Sequence, residues 1–375
     1  MTGIFLYGTL LHVPLFHCVA GPCDGTARMQ PSTLARHRVV CAAGAALPTL
    51  AEDAHSDVTG LLWTGLSAAQ RDRIDSYELP FGYVRRLVEV VTQDGGVVPA
   101  AVYVHPDGVQ GGGADWSLGR WLAQDGEVAL NVAREIAAHE PPLAGEELAR
   151  QWKMITGRAH AVQRAGGQAA PATVRHAAAP EDHDIRPLRP LAGGFFKLAA
   201  MEMSHRRFDG TRAQGLPREV LVGADAALVL PYDPVRDRVL LVEQFRAGPA
   251  RRGDRNPWCL EPVAGMIDAG ETPEQAALRE TVEEAGLTLD RLEPIFSFYA
   301  SPGSSTDHFY CFLGLVDLPD DHARFGGLAD EAEDLALHVL PLHRAMGLVE
   351  TGEVNAGPLI AMLLWLMRER HRFIG

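Results

Sequence analysis

Along the first hundred residues the apolar positions come in short runs, Gly3 to Leu6, Val58 to Trp63, Val84 to Val91 and Val98 to Val104, parted by clusters of Gly, Pro and Asp. That spacing predicts a mostly β domain. From Trp116 to Trp152 the period lengthens to that of a helix, and Glu127 to Ala138 is a run of good helix formers. Residues Arg158 to Pro180 then hold Ala, Gly, Gln and His with almost no large apolar side chain, which reads as a linker or a frayed helix. Strand-like runs return at Phe195 to Glu202, Ala226 to Pro231 and Val239 to Gln244. A glycine turn, a strongly marked helix, two more strands (Leu292 to Tyr299 and His308 to Val316) and a last helix after Pro358 complete the pattern. Strands around a central helix imply a layered domain.

A chain of 375 residues suits two domains better than one core. The pattern divides it into a domain over 1–135, a helical extension and linker over 136–190, and a second domain over 191–375. A hydrophobic share of 47% with 22% charged residues describes a globular chain. The net charge of −14 excludes broad contact with nucleic acid or an anionic membrane, since such contacts neutralise phosphate with Lys and Arg. The five cysteines, Cys18, Cys23, Cys41, Cys259 and Cys311, form no C-x-x-C pair and suggest neither a disulfide framework nor a zinc knuckle, so a reducing cytoplasm is expected. The apolar run from Ile4 to Phe16 has no basic residue before it and is broken by Gly8, Thr9, His12 and Pro14, so it is read as a buried strand and turn, not a signal peptide. Leu359 to Met367 is too short for a membrane span and reads as a terminal helix on a core.

Chemistry concentrates in Gly265 to Leu287, GMIDAGETPEQAALRETVEEAGL. Thr272, Pro273 and Gln275 supply an N-cap, a proline at the first helical position and the far end of a capping box, and Gly286 supplies the stop. Leu278, Val282 and Ala285 fall at i, i+4 and i+7 and predict one apolar face, with Glu280, Glu283 and Glu284 on the other side. Carboxylates crowded on one turn repel each other, and a divalent cation removes that cost. Mg²⁺ or Mn²⁺ takes such hard oxygen ligands and bridges them to phosphates.

This stretch resembles the Nudix box, G-x5-E-x7-R-E-U-x-E-E-x-G-U, at Gly265, Glu271, Arg279, Glu280, Glu283, Glu284, Gly286 and Leu287, with Thr281 where an aliphatic residue is usual. The resemblance implies metal-dependent hydrolysis of a nucleoside diphosphate linked to another group. Glu280 and Glu284 would be the principal metal ligands, Glu283 a catalytic carboxylate beside them, and the backbone carbonyl of Ala264 a further ligand. Glu271 and Arg279 would form an ion pair that fixes the loop.

Four flanking segments, VEQFR at Val242 to Arg246, PWCLEPVAG at Pro257 to Gly265, SPGSSTD at Ser301 to Asp307 and DEAEDLALHVLPL at Asp330 to Leu342, resemble the ADP-ribose pyrophosphatase branch of that family. The branch implies cleavage of ADP-ribose to AMP and ribose 5-phosphate. Arg246 would contact phosphates or ribose, and Glu261 would lie close to metal and substrate. Pro302 stands at the branch's characteristic proline, and Asp307 stands where the branch usually has a longer Glu against the ribose. Of the acidic run, Glu331 would be the general base and Glu333 a further metal ligand, although the residues alone leave these two roles interchangeable. Relatives in this branch are homodimers exchanging amino-terminal strands, which here would be Phe195 to Val222. A non-hydrolysing nucleotide sensor is the competing reading, and the intact carboxylates weigh against it.

At the other end, FLYGTLL (Phe5 to Leu11) and IDSYELPFGYVRRLVEV (Ile74 to Val90) resemble the γ-glutamylcyclotransferase-like, or AIG2-like, fold. That implies an amino-terminal β-barrel in which Tyr7, Gly8, Thr9 and Leu10 bind an anionic γ-glutamyl group and Glu78 moves a proton. A glycine turn can aim several N–H groups at one carboxylate, which suits the residue types. γ-Glutamyl chemistry as the main activity is therefore a further alternative. The expected fold class is α+β: a γ-glutamylcyclotransferase-like barrel, a linker, and a Nudix α/β/α sandwich.

Overall fold

The computed structural model describes residues 2–22, 25–42, 47–106, 113–139, 142–169, 172–192, 196–319, 322, 325–327 and 333–374, with the backbone alone at 80 and 187–192. They form two compact units, 1–169 and 170–375.

The first unit contains β1 (Gly3–Leu6), α1 (Val13–Ala20), β2 (Arg28–Leu34), β3 (His37–Cys41), β4 (Pro48–Glu52), β5 (Val58–Thr64), α2 (Ala68–Glu78), β6 (Val84–Thr92), β7 (Val97–Val104), α3 (Leu118–Gln124), α4 (Gly126–Ala137) and α5 (Gly145–Gly167). Strands β1, β5, β2, β6 and β7 close in that order into a barrel, sealed by parallel pairing of Gly3 and Ile4 with Ala100 and Ala101. The strand period of two splits each strand between two cores. Phe5, Leu62, Val90 and Val102 fill the barrel, while Ile4, Leu6 and Trp63 face outward onto Leu15, Phe16, Ile74 and Trp121 of the helices. The apolar run from Ile4 passes from its strand through one 3-10 turn, Thr9–Leu11, and then enters α1. Helix α5 continues through Arg158 to Gly167 and packs Leu148, Ile155 and Ala159 against Val128, Val132 and Ile136 of α4. Arg158 is only 3% exposed and is paired with Glu135.

The second unit begins with a separate antiparallel sheet of β8 (His183–Ala192), β9 (Lys197–Arg206) and β10 (Arg212–Val222). Next come β11 (Ala226–Asp233), β12 (Arg238–Phe245), α6 (Ala247–Arg252), β13 (Trp258–Glu261), β14 (Val263–Met266), α7 (Pro273–Ala285), β15 (Arg291–Tyr299) and β16 (His308–Leu315). β17 (Phe325–Gly326), β18 (Leu335–Pro341), α8 (Leu342–Thr351) and α9 (Gly357–Glu369) complete the chain. The main sheet runs β15-β16-β11-β12-β18-β17, with β13 added to β12 and β14 to β11. Leu228, Leu230 and Tyr232 of β11 point to the α8–α9 side, whereas Ala227 and Val229 point to α7. Two apolar faces need two helical covers, hence the α/β/α sandwich. No helix among the described residues is long and apolar enough to cross a membrane.

Helix α7 starts and stops as its sequence dictates: Thr272 accepts from the Gln275 N–H within a complete capping box, and Gly286 ends the helix at φ 64°. Its buried face is a correction. Leu278 and Val282 are 44% and 53% exposed, and the face against the sheet consists of Ala276, Ala277, Thr281, Glu284 and Ala285. The apolar part of that face is alanine alone, Ala276, Ala277 and Ala285, and Glu284 reaches from it to the Ala264 N–H. Thr281 satisfies its buried hydroxyl by donating to the Ala277 carbonyl at 2.7 Å.

Candidate functional site

In the second unit the box carboxylates meet the end of the sheet where β14 runs under α7. A Cβ at Gly265 would overlap the Glu280 carboxylate, so glycine is what lets that side chain lie flat on the strand. Glu284 is 3% exposed and accepts one hydrogen bond, from the Ala264 N–H at 3.0 Å. Burial raises its pKa to about 8, and the neighbouring Glu333 and Glu280 push the same way while Arg246 opposes them. Burial likewise raises Glu280, countered by Arg279 and reinforced by Glu283 and Glu333.

Arg279 binds this acidic group together. Its Nε and one terminal nitrogen donate to the two oxygens of Glu271 at 2.8 and 2.9 Å, and that terminal nitrogen also donates to the Met266 carbonyl at 3.0 Å. The other terminal nitrogen donates to Glu280 at 2.6 Å and Glu283 at 2.9 Å. The Glu271–Arg279 pair is thus a loop clamp, completed by the Asp268 N–H donating to Glu271 at 3.1 Å. Among the described residues no three acids already converge at ligand distances, because Glu280 and Glu283 are turned toward the guanidinium.

Arg246, just past β12, donates from Nε to Glu261 of β13 at 2.6 Å, so these two residues are each other's partners across paired strands. Arg246 remains 42% exposed at its side chain, open to an anion. Pro302 and Asp307 lie in the loop between β15 and β16. That loop is pinned to β10 by the Leu221 N–H donating to the Ser304 carbonyl at 2.9 Å and the Thr306 N–H donating to the Leu221 carbonyl at 3.0 Å. Asp307 packs against Gly223, where a Cβ would overlap its carboxylate, and no hydrogen bond or ion pair among the described residues joins it to the box. Glu331 lies outside the described residues. Glu333 is half-buried and reaches the field of both Glu280 and Glu284. Sequence reading missed Gly326 and Gly327. A side chain at Gly326 would collide with the Glu284 carbonyl, and Gly327, at φ 91°, packs against Glu333. The adjacent glycines before the acidic run were the available signal.

In the first unit, the turn after β1 and the end of α2 line one small cavity containing Tyr7, Gly8, Thr9, Leu10, Glu78 and two further phenols, Tyr83 and Tyr103. Gly8 presses so closely on Pro48 that a Cβ would meet its ring at 2.5 Å. The Tyr7 hydroxyl donates to the Tyr103 carbonyl, Tyr83 to the Pro48 carbonyl at 2.6 Å, and Tyr103 to Asp75 at 2.6 Å. Burial raises Glu78 to about 8. Tyr83 and Tyr103 were not singled out in the sequence, since their convergence on Glu78 depends on barrel closure.

A carboxylate-bearing helix clamped by its own arginine on one face of an α/β/α sandwich defines a Nudix hydrolase. The NUDIX domain family model matches residues 223–363, and the model for Gamma-glutamyl cyclotransferase, AIG2-like, matches residues 4–123. The ADP-ribose pyrophosphatase of Escherichia coli strain K12 is 40% identical over 185 residues, 49% of this chain and 88% of that protein. The ADP-ribose pyrophosphatase of Haemophilus influenzae is 37% identical over 188 residues, 50% of this chain and 86% of its own. The GDP-mannose pyrophosphatase of Yersinia pestis strain Pestoides F is 31% identical over 173 residues, 46% of this chain and 85% of its own. The chain therefore belongs to the Nudix hydrolase family, and its first unit is an AIG2-like domain. A solved structure described as an ADP compounds hydrolase is 22% identical with a TM-score of 0.39, covering 51% of this chain and 96% of its own.

Proposed function

We propose that the second unit hydrolyses the pyrophosphate of ADP-ribose to AMP and ribose 5-phosphate with Mg²⁺ or Mn²⁺. The observation that carries this reading is the crowding of Glu280, Glu284 and Glu333 at one strand end, with Glu284 buried and held by a single neutral N–H. The relatives named ADP-ribose pyrophosphatase support the choice of substrate.

The donor set fits a hard divalent cation, since the carboxylates of Glu280, Glu284 and Glu333 repel one another and the field of Arg246 only partly offsets this at Glu284, whose pKa stays raised. Glu280, Glu284, Glu333 and the Ala264 carbonyl would hold it, and when bound it would neutralise charge on the pyrophosphate. Arg246 would grip phosphate oxygens with its planar fork, held in aim by Glu261. Glu331 or Glu333 would take the proton of the attacking water, and Glu283 would support the cluster from the next position on the helix. Arg279, by holding Glu271 and the Met266 carbonyl, fixes the loop before α7, and Glu280 and Glu283 would turn from its guanidinium to take up the cation.

The same reading includes a homodimer joined through the sheet of β8, β9 and β10, on which Ile185 is 47% exposed; light scattering on the purified chain tests this. For the first unit, the cavity shared by Glu78 and the Tyr7–Leu10 turn supports proton transfer during cyclisation of a γ-glutamyl amide. The deciding experiment on the second unit is incubation with Mg²⁺ and a panel of nucleoside diphosphate derivatives, with products identified by mass. AMP from ADP-ribose, lost on adding EDTA, is the expected result. Equal turnover of the whole panel would remove the substrate assignment, and turnover undiminished by EDTA would remove the metal.

A further inference from the structure

Beside the small cavity at the Tyr7–Leu10 turn lies a second one of about 280 Å³, and Thr9, Glu78 and Tyr83 border both. Its walls are aromatic: Tyr77, Phe81, Trp121 and Trp152, with the Phe81 and Trp152 rings edge to face at 4.7 Å. Two carboxylates, Glu78 and Asp125, also line it, and among the described residues no Lys, Arg or His does. Asp125 precedes α4, but its side chain caps nothing, and the basic group in its field is His160, whose pKa burial lowers. Asp125, Val132 and Trp152 come from beyond residue 123, where the match to the AIG2-like model ends. Half of this chamber's character is thus supplied by α4 and α5 in this chain.

Acidic groups in an aromatic cavity without a basic residue suit one kind of ligand. An ammonium finds ion pairing at Asp125, a polar carboxyl at Glu78 and attraction to the ring faces, and an apolar body fills the remaining space. We propose that this cavity binds an organic amine with an aromatic or branched aliphatic body, its nitrogen toward Asp125. The volume lies near the lower end of the range for small-molecule sites, about 300–1,000 Å³, which sets the ligand near the size of phenethylamine. If the first unit cyclises γ-glutamyl amides, this chamber receives the amine that is released and protonated as the amide bond breaks. The inference stands without that reading, because binding is measured apart from turnover.

The test is calorimetric titration of the full chain with phenethylamine, with 2-phenylethanol and 3-phenylpropionate as neutral and anionic counterparts of similar shape. Saturable binding of the amine, about tenfold or more tighter than the alcohol, is expected, as one charge-assisted contact is worth that factor. In Asp125→Asn that preference falls to less than about threefold. Trp152→Ala weakens the amine and the alcohol alike. Should Trp152→Ala not fold, the comparison of the three ligands on the native chain and on Asp125→Asn still decides. The alcohol binding as tightly as the amine, the carboxylate binding best, or no saturation by any of the three would overturn the proposal. Amine binding in a chain that leaves γ-glutamyl amides intact would instead reject the catalytic reading alone.

Discussion

Replacing Arg279 by Met removes one guanidinium that makes five hydrogen bonds, four of them to carboxylates, while keeping most of the apolar stem. The side chain is 25% exposed, and its partners Glu271, Glu280 and Glu283 are 22%, 13% and 31% exposed. Breaking a fully buried pair by removing one partner costs about 3–5 kcal/mol. Here the residual exposure lets Glu283 and Glu271 recover water, so the expected loss is about 2–4 kcal/mol. For a unit of this size that lowers the melting temperature by roughly 5–15 °C. The freed acids then repel each other, and Mg²⁺ should restore part of the loss, up to about 2.7 kcal/mol at a hundredfold excess over its Kd. Thermal unfolding with and without Mg²⁺, with ADP-ribose turnover used to assign the transition to the second unit, measures both effects. A loss below about 1 kcal/mol, or a gain from Mg²⁺ no larger than that of the native chain, would refute the reasoning that Arg279 offsets the charge of the box.

Glu284→Gln keeps an acceptor for the Ala264 N–H but removes the charge, so steady-state assays should show turnover down on the order of 10²–10³-fold with melting unchanged or raised. Asp233 is 1% exposed and accepts from the Val235, Arg236 and Leu318 N–H groups and the Arg236 side chain. Burial pushes its carboxyl up, yet these donors outweigh it and the pKa falls below the ordinary value. Its stabilisation is therefore complete above the unfolded pKa near 4 and is lost as pH falls through the lower folded value. Urea unfolding of Asp233→Asn should show a deficit of about 1–3 kcal/mol at neutral pH that narrows below about pH 4, and a gap that widens in acid would contradict the assignment. On α7, Ala277→Leu should cost about 1–3 kcal/mol or more by overpacking, whereas Leu278→Lys should stay within about 0.5 kcal/mol in the monomer. Denaturant midpoints that reverse this order would restore the apolar face expected from the sequence.

What could be read from the chain was local chemistry. The capping box at Thr272, the stop at Gly286 and the apolar run that becomes β11 each depend on residues a few positions apart, and each is present in the structure. What could not be read were choices made by packing distance. Large apolar side chains at Leu278 and Val282 suggested the inner face of α7, but the spacing to β14 admits only Ala, Thr and the one glutamate that is needed there. Helix α2 has a polar sequence with Gln70 and Ile74 as its buried positions, and β2 buries only Ser32 and Leu34, so neither carries a periodic apolar signal. The pairing of Arg246 with Glu261 spans 15 residues and follows from the register of β12 on β13, which no local pattern encodes.

Each unit holds a glutamate, Glu78 partly buried and Glu284 fully, whose pKa rises to about 8 for the same first reason, loss of water. Their surroundings separate them chemically. Glu284 stands among other acids, with one backbone N–H and the field of Arg246 too weak to cancel them, a setting that favours a further positive charge. Glu78 stands among Tyr7, Tyr83 and Tyr103, which are neutral and crowd it without bringing further negative charge. A carboxyl crowded by neutral phenols can exchange a proton with a ligand, while a cluster of carboxylates gathers a cation. One residue type and one shift thus point to two different chemistries, and the neighbours within a few ångströms, not the pKa, decide between them.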